Sequence, residues 1–167
     1  SPSAGAGEPG AAPPPFSLRP ATNQDQPAIW ALISGVLASY GITTSLSSTD
    51  RDLADIEASY DQRGGCFFVL LDGPTVVGTV ALNRESPSCC ELCRMYLLPA
   101  YRRRGLGRML LDKGITEARA QGYSEIHLKT AAVLVEAIRL YESVGFARTS
   151  DTPVSKNCDL AMTRKLT

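Results

Sequence analysis

The chain is poor in several things that would narrow its class. It holds one histidine and one tryptophan in 167 residues, and its 17 Lys plus Arg are matched by 17 Asp plus Glu. A balanced charge supplies no global field to draw it to nucleic acid or anionic lipid, so neither is expected as a partner. No apolar run reaches the roughly 18 residues of a spanning helix, which excludes a transmembrane helix. No basic stretch followed by an apolar block opens the sequence, so no secretory leader is expected. The cysteines, 66, 89, 90, 93 and 158, are odd in number. Cys90-x-x-Cys93 has half the spacing of a zinc or redox motif, but no second Cys or His pair completes it, and His127 stands isolated in the sequence. The expectation is no metal, and free thiols packed as small hydrophobes in a reduced, cytoplasmic setting.

What remains is ordinary globular sequence, 44% hydrophobic and 20% charged, of a length that suits one domain. Ser1 to Pro15 carries five of the eleven prolines, three glycines, four alanines and a single charge at Glu8. Such a stretch has little apolar area to offset its ordering entropy and reads as a flexible tail over 1–15, with the folded domain spanning 16–167.

Phe16 to Pro20 reads as a strand. Thr22, with Asp25 three residues on as a capping-box variant, opens a helix whose apolar stripe is Ile29, Leu32, Ile33, Val36 and Leu37. A polar connection, Gly41 to Ser48, leads to a second short helix over Asp50 to Tyr60, ended by Gly64-Gly65. Cys66 to Leu71 and Thr75 to Leu82 flank the turn Asp72-Gly73-Pro74 as a hairpin. Cys90 to Leu98 is a further strand, closed by Pro99. Gly105 to Gln121 is helical, with Leu106, Leu110, Leu111, Ile115 and Ala118 on one arc and Gly122 as its left-handed cap. Glu125 to Thr130 alternates as a strand, with Ile126 and Leu128 opposite His127 and Lys129. Leu134, Ala137, Ile138 and Tyr141 mark a last helix capped by Gly145, and Phe146 to Arg148 and Asp159 to Leu166 close the sheet. The order is βααβββαβαββ, a mixed α/β sheet with helices on both faces.

The chemistry concentrates in Tyr101-Arg102-Arg103-Arg104-Gly105-Leu106-Gly107-Arg108, between a strand end and a helix start. Unpaired N–H groups and the dipole of a helix N-terminus suit a phosphate, two glycines clear its approach, and four arginines add positive charge hidden by the neutral total. The pattern predicts pyrophosphate binding. It is neither a Walker loop nor a dinucleotide fingerprint following the first strand.

Arg102-x-x-Gly105-x-Gly107 resembles the acetyl-CoA loop of the GNAT N-acetyltransferase superfamily. The preceding Glu91 to Pro99 looks like that family's central strand. Ala137-x-x-x-Tyr141-x-x-x-Gly145-Phe146 resembles its second signature, and Leu18-Arg19-Pro20 its first strand and turn. The resemblance covers nearly all of the chain from Phe16. It implies a single domain of about seven strands and four helices, splayed at the central strands, with acetyl-CoA as co-substrate. Main-chain groups of Met95, Tyr96 and Leu97 would meet the pantetheine arm, and Arg102, Arg103, Arg104, Gly105, Leu106, Gly107 and Arg108 the pyrophosphate. Tyr141 occupies the general-acid position against the coenzyme sulfur, or else fills the apolar face of its helix. Glu91 stands where some members keep a base, or else is a solvent-facing carboxylate; a base working near neutral pH needs partial burial. His127 is a further base candidate or a structural histidine. Leu134 departs from the asparagine often found there, which puts one coenzyme contact in doubt.

The implied reaction is direct attack of a neutral amine on the thioester, on a small-molecule or a protein or peptide amine. The alternative is a catalytically silent acyl-CoA-binding module. The acceptor would be shaped by the first two helices, the connection Tyr40 to Thr49, and loops near Ser86 and 151–157. A homodimer is left open.

Overall fold

The computed structural model describes residues 15–150 and 158–167. The expected tail, apart from Pro15, and the acceptor loop 151–157 lie outside the described residues. The elements are β1 (Phe16–Pro20), α1 (Gln26–Ser39), α2 (Ile56–Ser59), β2 (Cys66–Asp72), β3 (Thr75–Arg84), β4 (Cys89–Leu97), α3 (Leu106–Ala120), β5 (Glu125–Thr130), α4 (Val135–Ser143), β6 (Ala147–Thr149) and β7 (Leu160–Lys165). All seven strands form one sheet in the order β1-β2-β3-β4-β5-β7-β6. Every pairing is antiparallel except β4 with β5. This matches the expected mixed α/β sheet of seven strands and four helices.

Period-two alternation gives the sheet two buried faces. Phe67, Val69 and Leu71 of β2 pack with Ile29, Ile33 and Val36 of α1, while Phe68 and Leu70 pack with Leu110, Leu111 and Ile115 of α3. A Cβ built on Gly114 would come within 2.7 Å of Leu92 Cδ1, so glycine lets α3 lie this close to β4 without moving the buried Leu92 side chain. The start of α1 follows the expected box. Thr22 accepts from the N3 backbone, the Asp25 carboxylate accepts from the Thr22 N–H at 2.9 Å, and Arg19 grips the same carboxylate at 2.7 and 2.8 Å.

The second helix differs from expectation. Only Ile56–Ser59 is α-helical, flanked by single 3-10 turns at Arg51–Leu53 and Asp61–Arg63. Asp55 restarts the chain as an N-cap, accepting from Ala58 N–H at 3.0 Å, and Asp50 and Asp52 are drawn across to β4. Tertiary pairing has overridden a local helical preference.

No disulfide joins the five cysteines among the described residues. None of the described helices is long and apolar enough to cross a membrane.

Candidate active site

Two strands that start in register and then part create the site. β4 and β5 pair from Cys89↔Glu125 to Leu92↔Leu128 and no further, although β4 runs to Leu97 against β3 and β5 to Thr130 against β7. Past Leu92 the central strands are therefore splayed. The Leu98 N–H donates to the Val77 carbonyl, so antiparallel alternation turns the main-chain groups of Leu97 away from β3 and into the gap, and leaves those of Tyr96 on the β3 side. The Leu97 carbonyl accepts from Nε of Arg102, in the turn that follows β4, at 3.3 Å.

A bulge sits where the gap opens. Thr79 pairs with Tyr96 and Ala81 with Cys93, so Val80 faces two residues, Arg94 and Met95. Arg94 has φ +49°, and the buried Thr79 hydroxyl fixes the bulge by donating to the Arg94 carbonyl at 2.7 Å. The Arg94 guanidinium reaches Asp52 at 2.7 and 3.0 Å and Asp50 at 3.0 Å, and the buried Tyr60 hydroxyl donates to Asp52. Burial opposes the charge on Arg94, but the hydrogen bonds and charge of Asp52 outweigh it and raise its pKa. This cluster ties the 45–53 segment to the bulge; Asp50 also accepts from Ser45 N–H and Thr49 Oγ1, both at 2.8 Å.

Beyond Pro99 the chain turns into α3. Arg103 (φ +62°) and the N-cap Gly105 (φ +77°) are both left-handed, and no side chain caps the first turn of α3. The amides of Leu106, Gly107 and Arg108 are thus left for an anion. A Cβ on Gly107 would touch only Leu140 Cδ2, at 3.5 Å, so this turn faces open space.

Bulge, gap and turn enclose one cleft of about 1040 Å³. It runs from α1 and the following loop (Val36, Leu37, Tyr40, Thr43) over β4 to α3 and α4. Of the residues singled out from sequence, it brings together Met95, Tyr96, Leu97, Arg102, Arg103, Gly107 and Tyr141. Leu134 lines it too. Tyr141 is 8% exposed and edge-on to Phe146 at 6.1 Å; its hydroxyl has no hydrogen-bond partner among the described residues, and burial pushes the phenol up to about 12. Arg103 meets Glu136 at 3.2 Å with both side chains about four-fifths exposed, a pair worth little in water.

Other predicted residues lie outside the cleft lining. Arg104 stacks over Phe16 and Tyr101 at 5.3 and 5.4 Å, Arg108 pairs with Asp112 on its own helix, and Leu106 is a core side chain that offers only its amide. Glu91 lies behind the wall, 3.4 Å from Nζ of Lys129, which does line it. His127 is also absent from the lining and holds Glu125 and Cys89 instead.

The profile of the Acetyltransferase (GNAT) family matches residues 35–146. That span holds the splay, the bulge, the arginine-glycine turn and Tyr141.

The chain belongs to the GNAT acetyltransferase family.

It is 38% identical over 134 residues to the uncharacterized N-acetyltransferase YjgM of Escherichia coli, covering 77% of this chain and 80% of that one. It is 34% identical over 132 residues to human N-acetyltransferase 8, covering 75% of this chain but 56% of the relative. The fold overlays YncA of Salmonella typhimurium, a putative acetyltransferase solved with acetyl-CoA, at a TM-score of 0.73 and 24% identity, over 91% of this chain and 94% of that one. This GNAT chain is accordingly an acyltransferase of the N-acetyltransferase class. Its Arg94, Asp50, Asp52 and Tyr60 cluster escaped the sequence reading; the one signal was an arginine inside a strand otherwise rich in apolar residues.

Proposed function

We propose that the chain takes acetyl-CoA along the open edge of β4 and transfers the acetyl group to a primary amine within a ternary complex. The observation that carries this reading is the meeting, in one cleft, of an unpaired strand edge, an uncapped helix start flanked by arginines, and a buried tyrosine with a spare hydroxyl. An extended amide-bearing arm is what an unpaired edge can hydrogen-bond. A diphosphate is what the first turn of α3, with Arg102 and Arg103, can neutralise.

The residues then divide the chemistry. A backbone N–H presented by the bulge at Arg94 and Met95 polarises the thioester carbonyl. Glu91, 3.4 Å from the cleft-lining Lys129 amine, takes the ammonium proton of the acceptor through an intervening water. The amine nitrogen attacks the carbonyl carbon, the C–N bond forms, the nitrogen releases its second proton to solvent, and the C–S bond breaks with the electron pair leaving on sulfur. Tyr141 donates to that sulfur. With its phenol near 12 and a thiol ordinarily near 8.5, the donation is a charge-assisted hydrogen bond, and solvent completes the protonation. Tyr40 and Val133, both exposed and on the cleft, give the acceptor end an apolar lip suited to an amine with an apolar body, small molecule or peptide.

The test is thiol release from acetyl-CoA over a panel of amines, with the product identified by mass, alongside calorimetry with coenzyme A. Amine-dependent release with an N-acetylated product is expected. Tight coenzyme binding with no turnover on any amine would replace the enzyme with a binding module, and no binding would overturn both.

A further inference from the structure

At the far end of β4 from the cleft, three potential ligands come from separate stretches of chain. Glu85 follows the last residue of β3, Cys89 opens β4, and His127 lies in mid-β5. One donor atom from each lies within 4.8 Å of the others, and all three side chains are partly open to solvent. The parallel register Cys89↔Glu125 and Glu91↔His127 brings them together. None of the three lines the cleft.

The two nitrogens of His127 are in different situations. Nε2 lies 3.0 Å from Glu125 Oε1, and that oxygen also accepts from Thr163 Oγ1 at 2.7 Å. In the tautomer that donates from Nε2 to this carboxylate, the lone pair is on Nδ1. Nδ1 is shut off from solvent, has no hydrogen-bond partner among the described residues, and sits 3.1 Å from Glu85 Oε2. In that tautomer two acceptors face each other with no donor aligned between them. Cys89 Sγ completes the group, 3.6 Å from Glu85 Oε2 and 3.2 Å from Nε2 of the same ring, with one ligand atom of each residue within 4.8 Å of the others.

A catalytic thiol–imidazole pair is the competing use of these atoms. It requires a thiolate, and burial together with Glu85, Glu125 and Glu91 pushes Cys89 the opposite way, up to about 12. The same surplus of negative charge suits a cation. A sulfur, an imidazole nitrogen and one carboxylate oxygen form the mixed donor set of zinc, since magnesium and calcium prefer oxygen alone. An imidazole whose other nitrogen is held by a hydrogen-bonded carboxylate is the usual support behind a zinc ligand.

We propose that Glu85, Cys89 and His127 Nδ1 bind one zinc ion, with Glu125 orienting the imidazole and a water taking the fourth position. Binding forms the Zn–S bond and releases the Cys89 proton to solvent. The site stands independently of the acetyl-transfer reading.

Chelator-stripped protein, kept reduced, is titrated with zinc chloride by calorimetry in two buffers, and with cobalt chloride by absorption. The expected result is one equivalent bound, a heat that changes with buffer ionisation as the thiol proton is released, and thiolate-to-cobalt charge-transfer absorption. Cys89→Ser should abolish that absorption, and Glu125→Gln, which keeps all three ligands, should weaken zinc roughly 10–100-fold. Zinc should raise the Tm of the wild type and not that of Cys89→Ser. Absence of stoichiometric binding would overturn the proposal. So would a cobalt spectrum unchanged by Cys89→Ser, because the metal would then sit on other thiols.

Discussion

Replacing Gly107 by alanine should move folding stability and coenzyme affinity in opposite directions. Gly107 sits in the first turn of α3, outside the left-handed region, and its only neighbour for an added methyl is Leu140 Cδ2 at a comfortable 3.5 Å. The protein itself does not resist the methyl, and glycine costs a helix about 0.5–1 kcal/mol relative to alanine. At roughly 2–4 °C per kcal/mol for a chain of this size, the Tm of the free protein should rise by about 1–4 °C. On the proposed seating of the coenzyme, the methyl projects toward the diphosphate and holds it off one amide. A hydrogen bond to a charged group is worth about 1.5–3 kcal/mol, so the Kd for coenzyme A should rise roughly 10- to 150-fold. Scanning calorimetry on the free protein and titration calorimetry with coenzyme A read the two effects separately. An unchanged Kd beside the raised Tm would mean that the phosphates do not lie against this turn.

Tyr141→Phe keeps the ring against Phe146 and removes only the hydroxyl; kcat should fall roughly 10- to 150-fold with coenzyme Kd retained, and equal kcat would reduce Tyr141 to packing. Arg94→Met strands Asp50 and Asp52, of which Asp50 has a side chain only 7% exposed, and should cost about 3–5 kcal/mol in urea unfolding. The Arg19 hydrogen bonds hold the Asp25 carboxyl below its usual range, so its contribution to stability is complete above about pH 3.9 and fades as pH falls through the lowered folded value. Asp25→Asn should flatten that part of the acid-unfolding curve, and an unaltered slope would remove Asp25 as its source.

Elements whose signals are local were legible in the sequence. The apolar stripe of α1, the Asp-Gly turn of the β2–β3 hairpin and the left-handed glycine after α3 each act within a few residues, and all appear where expected. The arginine-glycine turn was legible for the same reason. What escaped depends on partners distant along the chain. Asp50 and Asp52 leave the expected second helix because Arg94, more than forty residues on, pairs with them. The bulge that lets Cys93 and Arg94 depart from alternation is set by the register of β3 against β4. His127 reads as solitary until the β4–β5 register places Cys89 and Glu85 beside it.

The parting of β4 from β5 carries a consequence for the lifetime of the protein. Because β4 and β5 pair at only four positions, a molecule that bridges them beyond Leu92 stabilises the native state by mass action. At a hundred times its Kd, a coenzyme seated there adds about 2.7 kcal/mol, roughly a hundredfold in the folded-to-unfolded ratio. On the proposed seating, resistance to proteolysis should therefore rise with coenzyme concentration.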